Sequence, residues 1–401
     1  MYRIKISKLS IIMILTYFLV FVNIAYIPQY NFIKYVSIII ITLYLSTRIR
    51  VFLNRRYMLL NIVLLLFCFL VLYNSWITRS LTSSRDSFKS AALFVVSIIL
   101  TFLVMEYLAY CKKIPEMLNL YYKLTLATVI VTDLLIVFAP TLVYRFNSYY
   151  LIGNKFKVSY LHIYLIVFFL FKMRKIMEWR KGHAVILLFY SVLTIGIAAR
   201  VNCVTGIVGV LVLLVMYFLF SNKMTGKLIM NPLFYVAILL VCCSFMYVFE
   251  IVLSNEIVQD FIVNTLGRSL TLTGRTRIYN KLPELLYKRL WTGYGFGSSY
   301  EICMQYGSFP NTQNGIAEWV LQVGLPATVI LVVLIYVVIH ILHKSEMSGK
   351  AGIPGIFVLY VLAFLASVEV TINLAYFFWL AVLVGIALEN EVREWERLKP
   401  N

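Results

Sequence analysis

Along most of this chain the apolar positions do not alternate with polar ones. They fuse into runs, at residues 9–27, 35–46, 58–73, 91–110, 118–139, 160–171, 184–198, 203–220, 233–253, 316–342, 356–367 and 374–388. About 15–25 apolar residues suffice to cross roughly 30 Å of hydrocarbon. In lipid such a run must be helical, because every backbone N–H and C=O needs a partner inside the segment. The short alternating segments of a transmembrane β-barrel are absent. The shorter runs are expected to extend into their flanks. The pattern predicts an all-α polytopic membrane protein, a single membrane domain over 1–401 with about 12 transmembrane helices. One polar interruption is long, residues 254–315 between spans 9 and 10. Within it Tyr279, Leu282, Leu285, Leu286, Tyr287 and Leu290 recur at helical spacing. This loop is expected to fold as short helices against the membrane surface and to carry the active site.

Composition agrees. Hydrophobic residues make up 62% of the chain and charged residues 13%, with a mean hydropathy of +0.89. A soluble domain is about half apolar and about a quarter charged. The first run follows Arg3, Lys5 and Lys8 as a signal peptide would, but no small-residue cleavage site follows it, so it is read as a retained first span. The six cysteines show no metal-ligand spacing and read as small apolar filler. No metal and no cofactor are expected.

The net charge of +19 invites a nucleic-acid partner, and its placement argues against one. With the N-terminus inside, 21 of the 36 Lys and Arg residues fall in cytoplasmic segments and 14 in outer ones, with Lys123 inside a span. That bias puts both termini in the cytoplasm and the 254–315 loop outside. Six of the 14 outer cations share that loop.

Four features there and nearby carry candidate chemistry. Thr273-Gly274-Arg275-Thr276-Arg277 precedes an amphipathic stretch over 278–290, which Thr273 or Thr276 would cap. Its arginines would then stand at a helix start, where backbone N–H groups favour an anion. The planar guanidinium fork also suits phosphate; the plainer reading is a pair touching lipid headgroups. Arg200 occupies a very short outer turn, where a lone arginine commonly anchors at the interface. Gly293-Tyr294-Gly295-Phe296-Gly297 permits a tight turn or close approach, but follows no strand, so it is no dinucleotide fingerprint. Finally, Gln313-Asn314 leads into the tenth span, where Glu318 and Gln322 share one face. A carboxylate near a span's end is a site candidate. Glu301 and Glu369 are further outer carboxylates, and Asp133, inside a span, reads as a polar contact between helices.

In order and spacing, Leu272-Thr273-Gly274-Arg275, then Trp291-Thr292-Gly293-Tyr294-Gly295-Phe296-Gly297, then Gln313-Asn314 with Glu318 and Gly324-Leu325-Pro326, resemble the O-antigen ligase / O-antigen polymerase (Wzy) superfamily. Its pattern reads TGR-x-x-x-W, GxGxG, HN-x-x-L-E and a glycine pair opening a span. Its members also resemble this chain in having 10–14 spans, a large late outer loop and an arginine in an earlier short outer turn, where Arg200 stands. The resemblance covers roughly residues 184–342. It implies a glycosyltransferase using an undecaprenyl-diphosphate-linked oligosaccharide, in the cytoplasmic (inner) membrane of a bacterium. A chain-length regulator and a flippase would be candidate partners. Arg275, Arg200, Glu318 and Glu301 would be catalytic, and Arg277, Gln313, Asn314 and Tyr294 substrate-binding. One departure matters. Gln313 stands where the family has histidine, and glutamine takes up no proton at neutral pH. That points from the ligases to the polymerases, which join repeat units into O-antigen or capsule. A ligase, and a lipid-linked oligosaccharide flippase, are the alternatives.

Overall fold

The computed structural model describes residues 7–22, 24, 30–48, 57–83, 86–143, 149–173, 181–221, 223–260, 263–264, 275–345 and 352–398. Thr273 and Gly274, and residues 25–27 at the end of the first predicted run, lie outside them. The helices are α1 (Lys8–Phe21), α2 (Tyr30–Ser46), α3 (Met58–Ile77), α4 (Ser87–Tyr110), α5 (Ile114–Phe138), α6 (Pro140–Val143), α7 (Lys155–Lys172), α8 (Lys181–Arg200) and α9 (Val204–Ser221). There follow α10 (Lys223–Ile229), α11 (Pro232–Leu253), α12 (Glu256–Asp260), α13 (Arg275–Lys288), α14 (Ser299–Gly307), α15 (Gly315–Ser345), α16 (Ile353–Leu365) and α17 (Leu374–Leu398). A two-residue antiparallel ladder, β1 (Tyr149–Tyr150) with β2 (Gly153–Asn154), precedes α7.

Every predicted apolar run falls on a helix, and several helices start earlier than hydropathy alone suggests. The physical reason is capping: Asp86 accepts from Lys89 N at the start of α4, and Asn154 from Lys157 N at the start of α7. Such side chains satisfy orphan N–H groups and so set the first turn. Among the described residues, six helices are long and apolar enough to cross a membrane: α3, α4, α5, α8, α15 and α17. Five more, α1, α2, α9, α11 and α16, are apolar over shorter described stretches.

The radial arrangement is that of a membrane-embedded bundle. Helices α7, α16 and the apolar part of α17 are buried on nearly every side. Trp379 of α17 is fully buried, with Tyr164, Phe168 and Phe378 rings 4.9–5.7 Å from its own. The surrounding helices expose large apolar side chains, such as Leu65, Val185, Val241 and Ile251, which in water would be a liability and in lipid are the expected outer surface. Asp133 meets His162 of α7 at 3.0 Å, an interhelical polar contact.

Residues 254–315 contribute α12, α13 and α14 at one end of the bundle, called here the loop face. The end of α1 and the start of α17 share a cavity at that face, so the start of α1 and the end of α17 both point to the opposite one. Helix α15 is broken at Gly324, whose φ of 78° and ψ of 170° are not helical. The break lets the 291–297 turn approach. A Cβ on Gly293 would lie 2.6 Å from the Gln322 carbonyl, and one on Gly324 2.6 Å from the Trp291 carbonyl carbon. Backbone thus lies on backbone, as Gly295 N donating to Gln322 O at 2.8 Å confirms. Gly324→Ala is expected to cost at least about 2–3 kcal/mol, from the strained φ and the clash. The check is thermal unfolding of the purified protein, together with protease sensitivity of the loop; an unchanged unfolding temperature would contradict the packing argument.

Candidate functional site

The site begins with the amphipathic helix α13. Its buried face runs Ile278, Tyr279, Leu282, Leu285 and Leu286, and packs on Met246 of α11, Ile302 and Cys303 of α14, and Val320 and Leu321 of α15. Arg275 continues the same stripe one turn upstream. The helix therefore starts at Arg275, and Thr276 lies inside its first turn rather than capping it.

That packing lowers Arg275 onto the connection between α16 and α17. Its Nη2 donates to Glu369 Oε1 and to Val368 O, each at 3.1 Å. One turn on, the Tyr279 hydroxyl donates to Gln313 O at 2.9 Å and Ser367 O at 3.1 Å. Gly315 N donates to Ala366 O, and Trp319 Nε1 to Ile372 O. Three segments, 275–279, 313–319 and 366–372, are so knitted into one floor. Glu369 is only 7% exposed. Burial pushes its carboxyl up to about 7, outweighing the pull of Arg275 and Lys155 in the opposite direction. Burial likewise raises the Tyr279 phenol.

The residues singled out in the sequence are placed unequally. Arg275 sits at the centre. Arg277 is exposed on α13. Arg200 is exposed at the end of α8 and forms no ion pair among the described residues, but its turn lies beside the start of α7, where Lys155 Nζ donates to Asn202 O at 3.2 Å. Gln313 adopts the left-handed region with φ 52° and presents its carbonyl to Tyr279. Asn314 is wholly buried, accepting from Ala317 N at the start of α15 and donating to Cys243 O of α11. Tyr294 donates to Leu285 O.

The two carboxylates proposed from sequence hold the scaffold. Glu318 Oε2 accepts from Thr312 N and Oγ1 at 3.2 and 2.8 Å, and Oε1 accepts from Gln322 Nε2 at 2.8 Å. Gln322 Oε1 in turn accepts from Gly297 N. Glu301 accepts from the Ser83 N and Oγ, tying α14 to the segment after α3. Glu318→Ala leaves the buried Thr312 N–H without its acceptor and frees the half-buried Gln322 amide, and is expected to cost about 1–3 kcal/mol. Thermal unfolding checks this; an unshifted transition would free Glu318 from a scaffold role.

No family model, no curated protein and no solved structure matches the chain. Chemistry is therefore read from the geometry alone. A guanidinium and a buried carboxyl poised near neutrality, at one end of the helical bundle, can together bind an anion and exchange a proton. Glu369 is the partner that sequence reading did not single out. A lone carboxylate in a short connection looks like an ordinary surface charge until α13 folds over it.

Proposed function

We propose that this chain is a membrane glycosyltransferase that joins undecaprenyl-diphosphate-linked oligosaccharide repeats into a surface polysaccharide. In this reading about twelve helices cross the bacterial cytoplasmic membrane, both termini are cytoplasmic and the loop face is outside, as the distribution of Lys and Arg favours. The carrying observation is the Arg275–Glu369 pair, held under α13 at the mouth of the bundle.

Glu369, as carboxylate, takes the proton from the acceptor sugar hydroxyl. The acceptor oxygen bonds to the anomeric carbon of the donor. The bond from that carbon to the diphosphate breaks, and the electron pair leaves with the diphosphate. Arg275 stabilises the charge gathering there. As the diphosphate draws on the guanidinium, Glu369 loses its counter-charge and gains proton affinity, which suits a general base. Glu369 thereby takes the role of base in preference to Glu318, both of whose oxygens accept scaffold hydrogen bonds, and Glu301, whose Oε1 holds Ser83, away from the Arg275 floor. Arg277 and Arg200, both exposed, are free to reach the glycan or the carrier's diphosphate.

The ligase alternative is disfavoured by Gln313, which offers its carbonyl to Tyr279 and has no titratable side chain. A flippase would need charges converging on a central path. Of the three charges inside spans, Glu106 is half-buried on α4, Lys123 is exposed on α5 and Asp133 is paired with His162 of α7, a placement that disfavours one shared path. The test is incubation of the purified full-length protein with one lipid-linked repeat unit. A ladder of polymer supports the proposal. Recovery of unpolymerised repeats, or transfer only to an unrelated acceptor, would sink it.

A further inference from the structure

Beside the Arg275–Glu369 pair the loop face holds a second charged feature. A cavity of about 220 Å³ opens between the end of α1, the start of α2, the start of α7 and the start of α17. Lys34 of α2 and Lys157 of α7 line it together, with Tyr160, Asn373 and an apolar wall that includes Phe21 and Leu161. The Lys34 charge is near enough to act on Lys157. Among the described residues neither forms an ion pair. Lys34 has only the face of Tyr30, at 5.3 Å.

The segments leading into α2 and α7 carry no carboxylate, since the first acidic residue of the sequence is Asp86 and the next after Asp133 is Glu178; Glu369, whose charge reaches Tyr160 from the connection before α17, is paired with Arg275. The Tyr160 hydroxyl is buried with no hydrogen-bond partner among the described residues. Lys157 is also held in place. Gly153, at φ 116°, lets the β1–β2 turn close on its stem, where a Cβ would lie 2.8 Å from Lys157 Cδ. Two like charges in a recess with a low-dielectric wall repel each other, and an anion between them removes that cost. The start of an 18-residue helix adds a favourable dipole.

We propose that this cavity seats the phosphate or diphosphate headgroup of a membrane amphiphile, with Lys34 and Lys157 on the anion and the apolar wall beside the first part of its chain. The claim needs only a membrane-embedded protein and stands apart from the polymerase reading. Where that reading holds, the occupant is the second lipid-linked substrate, since the reaction moves the glycan from one diphosphate carrier onto the glycan of another and Arg275 attends the leaving diphosphate.

The experiment uses the full-length protein in a maltoside detergent and two probes, farnesyl diphosphate and phosphatidylglycerol. Binding is followed by native mass spectrometry and by the ligand-induced rise in unfolding temperature. Lys34→Gln/Lys157→Gln should weaken binding about tenfold or more, and Lys34→Arg/Lys157→Arg should restore it. The same loss should appear in an Arg275→Ala background, which separates this cavity from the Arg275–Glu369 pair. Each single lysine variant, expected to be intermediate, covers the case in which the double variant is poorly folded. A lysine-dependent response to farnesyl diphosphate identifies a polyprenyl diphosphate; one confined to phosphatidylglycerol identifies a phospholipid headgroup. Failure of both probes to bind the wild-type protein, or equal binding by the glutamine variants, overturns the proposal.

Discussion

Arg275→Ala is expected to leave the protein in the membrane while abolishing long polysaccharide chains, so that single repeats persist. In purified form its turnover should fall by about 10²–10³, the usual cost of removing one preorganised donor to a developing oxyanion. The geometry raises a competing account. Removing Arg275 also strips buried Glu369 of the group to which it is paired at 3.1 Å. A damaged floor is then a second source of loss. The double variant Arg275→Ala/Glu369→Ala retains no buried charge at the pair. If Arg275 only balances Glu369, Arg275→Ala should lower the unfolding temperature and the double variant should recover it. If Arg275 acts on the diphosphate, Arg275→Ala should lose turnover while its unfolding temperature stays close to that of the double variant. Full-length polysaccharide from Arg275→Ala would end the assignment.

The second large effect concerns Glu369. Glu369→Gln preserves shape and removes the base, and should lower turnover by about 10²–10⁴. The pH dependence has a definite sign. Burial holds the carboxyl at about 7, so below that pH it carries a proton and cannot accept another. Catalytic efficiency, kcat/KM, should therefore rise with pH through about 7 and level off above it. In Glu369→Gln that rise should vanish along with most of the activity. Turnover that survives the substitution, or a wild-type profile flat between pH 5.5 and 8.5, would remove Glu369 as the base. The unfolding temperature separates the two sites of carboxylate chemistry: Glu318→Ala should lower it, whereas Glu369→Gln should act chiefly on rate.

The helical bundle was legible from the runs of apolar residues because lipid leaves the backbone no alternative to helix. The face of α13 was largely legible too: of the six residues at helical spacing Tyr279, Leu282, Leu285 and Leu286 are buried, whereas Tyr287 points outward and Leu290 lies past the helix end. The spaced glycines announced close approach, and Gly293 and Gly324 are where backbone meets backbone. Side-chain roles were far less legible. Glu318, Asn314 and Tyr294 have residue types that suit catalysis or sugar binding, yet here each hydrogen-bonds within the scaffold. Residue type states what a group can do; it does not state which neighbour reaches it first.

Sequence by itself determined that this protein is a helical membrane bundle and that an amphipathic helix follows Arg275 in its long polar loop. Both follow from local periodicity and from the demand of lipid for internal hydrogen bonding, which act within one segment. Only the tertiary structure decided that Arg275 meets Glu369 across 94 residues of chain, and that Lys34 and Lys157 face one cavity from two helices. The proton affinity of Glu369 and the mutual repulsion of the lysines arise from burial and proximity. Those are properties of the packed bundle and have no counterpart in the linear order of residues.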